Sequence, residues 1–396
     1  MKTYTLQTQD QGLIRYTDKK RYLWLLSTLY PLFPLTGLAL HYYLQMDFVL
    51  WLPILAVYGV VPVIDWLLAD DLSNPPEEIV PQLEQDRYYQ RLLYYTVPMH
   101  FISFFACAFW LVSFDVSVSA YLAITLAAGM AAGLGINTGH ELGHKSDAFG
   151  RFMAKLVLAV PGYGHFPSEH NAGHHVEVAT PEDCASSRMG ENIYAFALRE
   201  IPGGIRRGWK LEKQRLTAQG KPVWSWHNEI LQSYSLTLLM QGTLVILFGW
   251  YIVPFLVLHN VFAWWQLTSA NYVEHYGLLR EKIANGKYAR CEPYHSWNSN
   301  HVFSNLLLFH LERHSDHHAH PTRHYQSLRH FEHVPELPSG YFGSYLIAYV
   351  PWLWYKIMDP KLLKLNHIQG DISKINMLES KREKIEQKYA DLIAAV

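Results

Sequence analysis

The chain has 396 residues, half of them hydrophobic, and 33 Lys and Arg against 34 Asp and Glu leave a net charge of −1. A balance this close to neutral excludes nucleic-acid binding carried by charge. Cys107, Cys184 and Cys291 form no CxxC pair, which excludes a structural zinc finger, a fused iron–sulfur domain and a disulfide framework.

The apolar residues are bunched into long runs rather than spread at amphipathic spacing. Residues 1–21 lack the basic stretch, short apolar core and small-residue cleavage site of a secretory signal, and read as a cytoplasmic tail. A bilayer core of ~30 Å needs roughly 20 mostly apolar helical residues. Six runs meet that length: Tyr22–Tyr43, Phe48–Leu68, Leu93–Phe114, Val118–Thr138, Ile230–Gly249 and Tyr251–Ser269. Short turns at 45–47 and 115–117 and a break at Gly249–Trp250 pair them into three hairpins. Pro31, Pro34, Pro53 and Pro62 are tolerable in spanning helices. Lys19, Lys20, Arg21, Arg87, Arg91, Lys145, Arg151 and Lys155 all fall on one side, whereas the opposite turns carry no Lys or Arg. Buried helices of a soluble protein would not explain that asymmetry, and the positive-inside rule makes both termini cytoplasmic.

The predicted fold is therefore an all-α integral membrane protein with six transmembrane helices and a cytoplasmic histidine-rich catalytic cap. Residues 22–138 hold spans one to four and 230–270 hold spans five and six. The cap comprises 139–229 and 271–396, the latter ending in a charged helical tail. Phe152–Tyr163 is too short to span. The basic amphipathic segment 197–216 reads as an interfacial helix drawn to anionic lipid, ahead of a partner-docking surface.

Most of the 22 histidines lie between His140 and His333, in four clusters. His140 and His144 follow the fourth span. Residues i and i+4 of a helix share a face, so both rings can reach one ion. The second cluster holds His170, His174 and His175, the third His275, and the fourth His314, His317 and His318. A lone histidine is more often a surface or satisfied core residue. Paired spacing in several segments at one membrane face points instead to metal. One ion takes about four to six ligands, so nine candidates imply two metals. With no thiolate available, imidazole leaves zinc, iron, copper or nickel open. Glu141, Glu169, Glu274 and Asp316 stand beside these histidines and are expected to orient the rings, or for some of them to ligate directly. His100, His165, His295, His301, His310, His320 and His324 are assigned no ligand role, His310 being the nearest to one.

His140-Glu141-Leu-Gly-His144 also fits HExxH, the zinc-protease motif in which the glutamate is a general base. That reading leaves the other three clusters without a role. A metal transporter would place its ligands near mid-membrane rather than at span ends.

Taken together, HELGHK (140–145), EHNAGHH (169–175), NYVEHYG (271–277) and LERHSDHHAHP (311–321) resemble the alkane 1-monooxygenase family. The histidine pattern alone is shared with membrane fatty-acid desaturases and hydroxylases, the nearest alternative, and NYVEHYG narrows the resemblance. It extends over nearly the whole chain through NPPEE (74–78), TVPMH (96–100), QLTSANY (266–272) and SWNSNH (296–301). The resemblance implies a non-haem di-iron centre of two iron ions on His140, His144, His170, His174, His175, His275, His314, His317 and His318. It implies O2 as co-substrate and hydroxylation of the terminal methyl of medium- to long-chain n-alkanes to 1-alkanols in a bacterial inner membrane. Electrons would come from NADH through a reductase and a rubredoxin. The lack of cysteine pairs makes that rubredoxin a separate protein, docking on the cytoplasmic face near Arg206, Arg207 and Lys210. A residue on the second helix limits substrate length in this family. The matching position is Val57, whose small side chain predicts tolerance of longer alkanes.

Overall fold

Long apolar runs become helices because a helix satisfies each backbone N–H and C=O within its own segment. The computed structural model is accordingly mostly helical, and it describes residues 1–8, 12–145, 147–284 and 286–395. Residues 9–11, 146, 285 and 396, parts of the tail and cap segments assigned above, lie outside the described residues. The main helices are α1 (Phe33–Leu44), α2 (Arg87–Ser113), α3 (Val118–Gly143), α4 (Ala148–Ala159), α5 (Ile193–Ala218), α6 (Glu229–Phe248) and α7 (Val253–His275). Capping side chains open most of them. Asp86, Ser117, Asp147, Asn192 and Asn228 accept hydrogen bonds from first-turn N–H groups of α2, α3, α4, α5 and α6.

Four helical stretches among the described residues are long and apolar enough to cross a membrane: Asp47–Leu67, α2, α3 and the 47-residue stretch Glu229–His275. The last folds back on itself at Gly249, whose φ of 70° turns the chain. Reciprocal amide bonds of 3.1 Å between Gln241 on α6 and Asn260 on α7 join the two arms. The run predicted at Tyr22–Tyr43 is broken. A short helix at Leu25–Leu29 tightens into a 3-10 turn at Tyr30–Leu32 before α1. Pro31 and Pro34 are the cause, each removing one backbone donor.

One element departs from the all-α expectation. The tail forms an antiparallel hairpin, β1 (Lys2–Thr8) and β2 (Gly12–Asp18), in which Tyr4 faces Tyr16 and Leu6 faces Ile14. Alternation of aromatic and branched residues with polar ones favours a half-buried strand pair. Asp86 anchors it, accepting from Lys2 Nζ at 2.8 Å, Tyr4 Oη at 2.7 Å and Arg21 Nη1 at 2.6 Å.

The Ala- and Gly-rich α3 is the most buried of the apolar stretches, with 72% of its apolar window inside the protein. Its Gly129 and Gly133 press onto α7. A Cβ at Gly129 would stand 2.8 Å from the His259 carbonyl oxygen, and one at Gly133 would stand 2.6 Å from Gln266 Cβ. Small residues four apart permit this close crossing. Gly129→Leu is therefore expected to destabilise the protein by at least ~1–3 kcal/mol through overpacking. Thermal unfolding in detergent should show the loss, while Gly242→Ala, with its nearest neighbour atom at 4.0 Å, should leave the midpoint unchanged. The close approach matters for function because α3 and α7 both end in histidines.

Candidate metal centre

Helix ends deliver the histidines. His140 lies in the last turn of α3 and His144 caps it, and His275 ends α7. The helix His314–Ala319 supplies His314, His317 and His318. Residues 166–177 form a helix whose middle, His170–His174, is a π-turn, with His175 N–H bonded back to the His170 carbonyl. That wider turn decides which ring points where.

Nine histidines converge in two groups. His140, His144, His170, His175 and His317 form one, and His174, His275, His314 and His318 the other, each with its donor atoms within 4.8 Å of one another. The i, i+4 rule holds for His140 with His144 and for His314 with His318. It fails for His170 and His174, because the π-turn brings His170 to His175 and sends His174 to the other group. In the five-membered group His140 Nε2 is 2.8 Å from His317 Nε2, which is 3.1 Å from His175 Nε2, itself 3.0 Å from His170 Nε2. In the other, His174, His318, His314 and His275 are linked through Nε2 contacts of 3.2, 2.8 and 3.3 Å.

Such clustered nitrogens suit a cation. An ion about 2.1 Å from each imidazole nitrogen sets neighbouring donors about 3.0–3.4 Å apart. Burial, reinforced by the neighbouring imidazoles, holds His170, His175, His314, His317 and His318 well below the ordinary histidine range. They are neutral, as metal ligands must be. His144 Nε2 is buried without a hydrogen-bond partner.

The four carboxylates singled out from sequence go to different places. Glu141 lies 3.8 Å from Lys145 Nζ. Glu169 is bound by Arg207. Asp316 is buried but turned away from the clustered rings, to His320 at 2.7 Å and Arg323 at 2.9 Å. Only Glu274 approaches a clustered ring, with Oε2 3.4 Å from His314 Nε2 while Oε1 accepts from Tyr341 at 2.6 Å. The carboxylate that does hold a ring is Asp183, whose Oδ2 lies 2.9 Å from His174 Nδ1. This fixes the tautomer that leaves Nε2 free for a metal. Arg207 holds Asp183 Oδ1 at 2.7 Å and also binds Glu169 and, at 2.8 Å, Glu177. Burial works against the Asp183 charge, but His174 and Arg207 outweigh it and keep the carboxyl well below its usual range. Burial likewise opposes charge on His174, and Asp183 reverses the shift upward. Nothing in the spacing of TPEDCASS (180–187) marks Asp183. Arg207, expected at a docking surface, is turned inward.

The histidines assigned no ligand role stay outside both groups. His310 Nδ1 bonds the Tyr325 carbonyl at 3.0 Å, and its ring packs edge-on against Trp24. His165 pairs with Tyr234, His295 with the Glu292 N–H, His301 with Ser299 and His320 with Asp316. His100 is buried within α2, and the backbone N–H of His324 bonds Glu84.

A narrow cavity of about 50 Å³ touches both groups through His140, His170 and His314, and is walled mainly by apolar residues such as Leu134, Ile136, Phe166 and Leu308. Tyr30 lines this cavity and also a second, apolar cavity of about 290 Å³, together with Val57, Val61 and Leu307. The HExxH protease reading fits this poorly: His140 and His144 gather three further histidines, and Glu141 is engaged with Lys145.

Comparison with known proteins agrees. The fatty acid desaturase family profile matches residues 117–345. The chain is 54% identical to Alkane 1-monooxygenase 1 of Alcanivorax borkumensis over 94% of its length and 92% of that protein. It is 52% identical to the Alkane 1-monooxygenase of Pseudomonas putida over 96% of its length and 94% of that protein. A third relative, the Alkane 1-monooxygenase of Ectopseudomonas oleovorans, is 52% identical over 94% of this chain and 93% of its own. Full-length likeness at this level, joined to the convergent histidines and the apolar cavity, places the chain in the alkane 1-monooxygenase family, an oxidoreductase branch of the desaturase-like membrane proteins.

Proposed function

We propose that the chain converts medium- to long-chain n-alkanes to 1-alkanols at two irons, one held by His140, His144, His170, His175 and His317 and the other by His174, His275, His314 and His318. The observation that carries this reading is the meeting of both imidazole groups at one apolar cavity. Bound iron supplies reductive O2 activation, in which one oxygen atom enters the terminal C–H bond and the other leaves as water with two electrons and two protons.

The chain's own residues bind, orient and exclude water. An alkane has no hydrogen-bonding handle, so recognition rests on shape and on ~0.8 kcal/mol for each CH2 moved out of water. His140, His170 and His314 present both groups to the same end methyl. Asn137 and Gln266 line the cavity, and Asn137 Oδ1 and Gln266 Nε2 are buried without partners. They receive the hydroxyl of the product. Tyr341 donates to Glu274 and so holds that carboxylate beside His314.

Reading Glu229–His275 as two spans and the broken first run as one gives six spans in a bacterial inner membrane. The one-sided Lys and Arg distribution supports cytoplasmic termini and a cytoplasmic histidine cap. Electrons arrive from a separate reduced rubredoxin that an NADH-dependent reductase regenerates. Arg206 and Lys210 are exposed on α5, so charge reversal belongs on these two and not on Arg207. Unchanged rubredoxin-dependent turnover in that double variant removes this face from consideration.

Asp183→Asn is expected to weaken metal binding ~10–100-fold, the usual cost of losing a carboxylate partner of a ligating histidine. Competition with a chelator, followed by metal analysis, measures it. The reaction class is tested by offering dodecane and a C12 acyl substrate side by side. The proposal requires 1-dodecanol from the alkane, whereas an alkene from the acyl substrate with no alcohol would make the chain a desaturase.

A further inference from the structure

Amide side chains stand in the mainly apolar wall of the inner cavity, Asn137 on α3 and Gln266 and Asn271 on α7. Each is held from behind. Asn137 Nδ2 donates to the Leu308 carbonyl at 2.7 Å, and Asn271 Nδ2 donates to Glu200 at 3.2 Å. Gln266 Oε1 accepts from the Tyr58 hydroxyl at 2.6 Å. These bonds decide which atom is left for the cavity. Leu308 engages the nitrogen of Asn137 and leaves the acceptor Oδ1, whereas Tyr58 engages the oxygen of Gln266 and leaves the donor Nε2. Both remaining atoms are buried without a partner.

The two stand at different depths. At ~1.5 Å per residue, Asn137 lies about 4.5 Å before His140 along α3, and Gly133, against which Gln266 packs, lies about 10 Å before it. The hydroxyl of a chain at the histidines would therefore meet an acceptor first and a donor farther out. An alkane uses neither. A buried amide nitrogen without a partner is unfavourable, and polar groups kept within a span usually serve function. Tying the second span to α7 accounts for Gln266 Oε1, which Tyr58 engages. It does not account for Nε2.

We infer that Gln266 forms a subsite for the oxygen of a 1-alkanol, with Tyr58 as the residue that positions it. The inference rests on the alkane-hydroxylating reading above and deepens it. The product's hydroxyl withdraws from the histidine end, donates to Asn137 Oδ1 on the way and comes to rest accepting from Gln266 Nε2. There the alcohol occupies the cavity that the next alkane needs, so the product competes with its own precursor.

The test uses the full iron-loaded chain in detergent, without reductant, so that nothing turns over. Binding of tritiated dodecane, 1-dodecanol and 1-methoxyundecane, an ether that accepts but cannot donate, is read by equilibrium dialysis against matched micelles. Gln266→Met keeps the length of the side chain and removes the donor. It should weaken 1-dodecanol and the ether about tenfold relative to dodecane, the order of one lost hydrogen bond. Tyr58→Phe should weaken both about threefold relative to dodecane, because an unheld amide presents Nε2 only part of the time. A merely structural role for Tyr58 would not separate oxygenated chains from the alkane. An equal change for all three ligands in either variant, or an ether unaffected by Gln266→Met, would overturn the proposal. Under turnover, the inhibition constant of 1-dodecanol against dodecane should rise in Gln266→Met by the factor found in dialysis. A chain that binds the alcohol in this way yet makes none would sink the alkane reading alone. A chain that makes 1-dodecanol but keeps full alcohol affinity in Gln266→Met would sink this one alone.

Discussion

His318→Ala is expected to abolish alkane hydroxylation and to remove about half of the bound iron. His318 belongs to the four-histidine group, its Nε2 lying 2.8 Å from His314 Nε2 and 3.2 Å from His174 Nε2. A site of four protein ligands binds its ion with roughly 10–16 kcal/mol in zinc peptides, so each ligand carries about 3 kcal/mol and its loss costs more than a hundredfold in affinity. The same substitution at His317 should empty the five-histidine group instead, and Mössbauer spectra of the two variants should each retain a different iron signal. His310→Ala is the control. His310 is as buried as the clustered rings but bonds the Tyr325 carbonyl and packs on Trp24, so iron content should persist even if stability falls. Full iron in His317→Ala and His318→Ala, or iron loss confined to His310→Ala, would show that the clusters are not the ligand set.

Val57→Trp should cut turnover of long alkanes by about two orders of magnitude while sparing short ones. Val57 sits in a π-turn at Ala56–Val60 and is 1% exposed, lining the 290 Å³ apolar cavity that shares Tyr30 with the inner cavity. The proposed function requires a chain whose end methyl lies at the histidines to run past Tyr30 into this outer space. An indole there displaces the distal methylenes. Excluding four CH2 groups costs about 3 kcal/mol, or roughly 200-fold in kcat/KM for hexadecane relative to octane. The volume already present limits the strain of adding the larger ring, and unaltered iron content checks that the fold survives. An unchanged chain-length profile would move the length limit elsewhere.

The histidines were legible because metal ligation needs short, repeated spacings at helix ends, and HELGH, HNAGHH and HSDHH carry them. Their division was not legible. The α-helical rule pairs His170 with His174, but a π-turn reassigns His170 to His175, and nothing in HNAGHH announces the extra residue in that turn. Adjacency also misled about carboxylates. Glu141, Glu169 and Asp316 neighbour the histidines in sequence yet reach Lys145, Arg207 and His320, whereas Asp183 reaches His174 from a loop with no spacing signal. Apolar length located the four long apolar stretches. It missed the break at Tyr30–Leu32, where two prolines three residues apart outweigh hydrophobicity, and it missed the tail hairpin, whose alternation is short. Arg207 shows the limit of reading charge from sequence. A basic run gave it a surface role, and three carboxylates draw it inside.

The central claim, two irons on two unequal histidine groups, is tested most directly by elemental analysis of the full chain purified in detergent. The same preparation is then assayed for O2-dependent 1-dodecanol with rubredoxin, reductase and NADH. About two irons per chain, one for each histidine group, together with the alcohol is the predicted result. One zinc per chain, no iron and no alcohol would contradict it and return His140, Glu141 and His144 to a single-ion hydrolytic site.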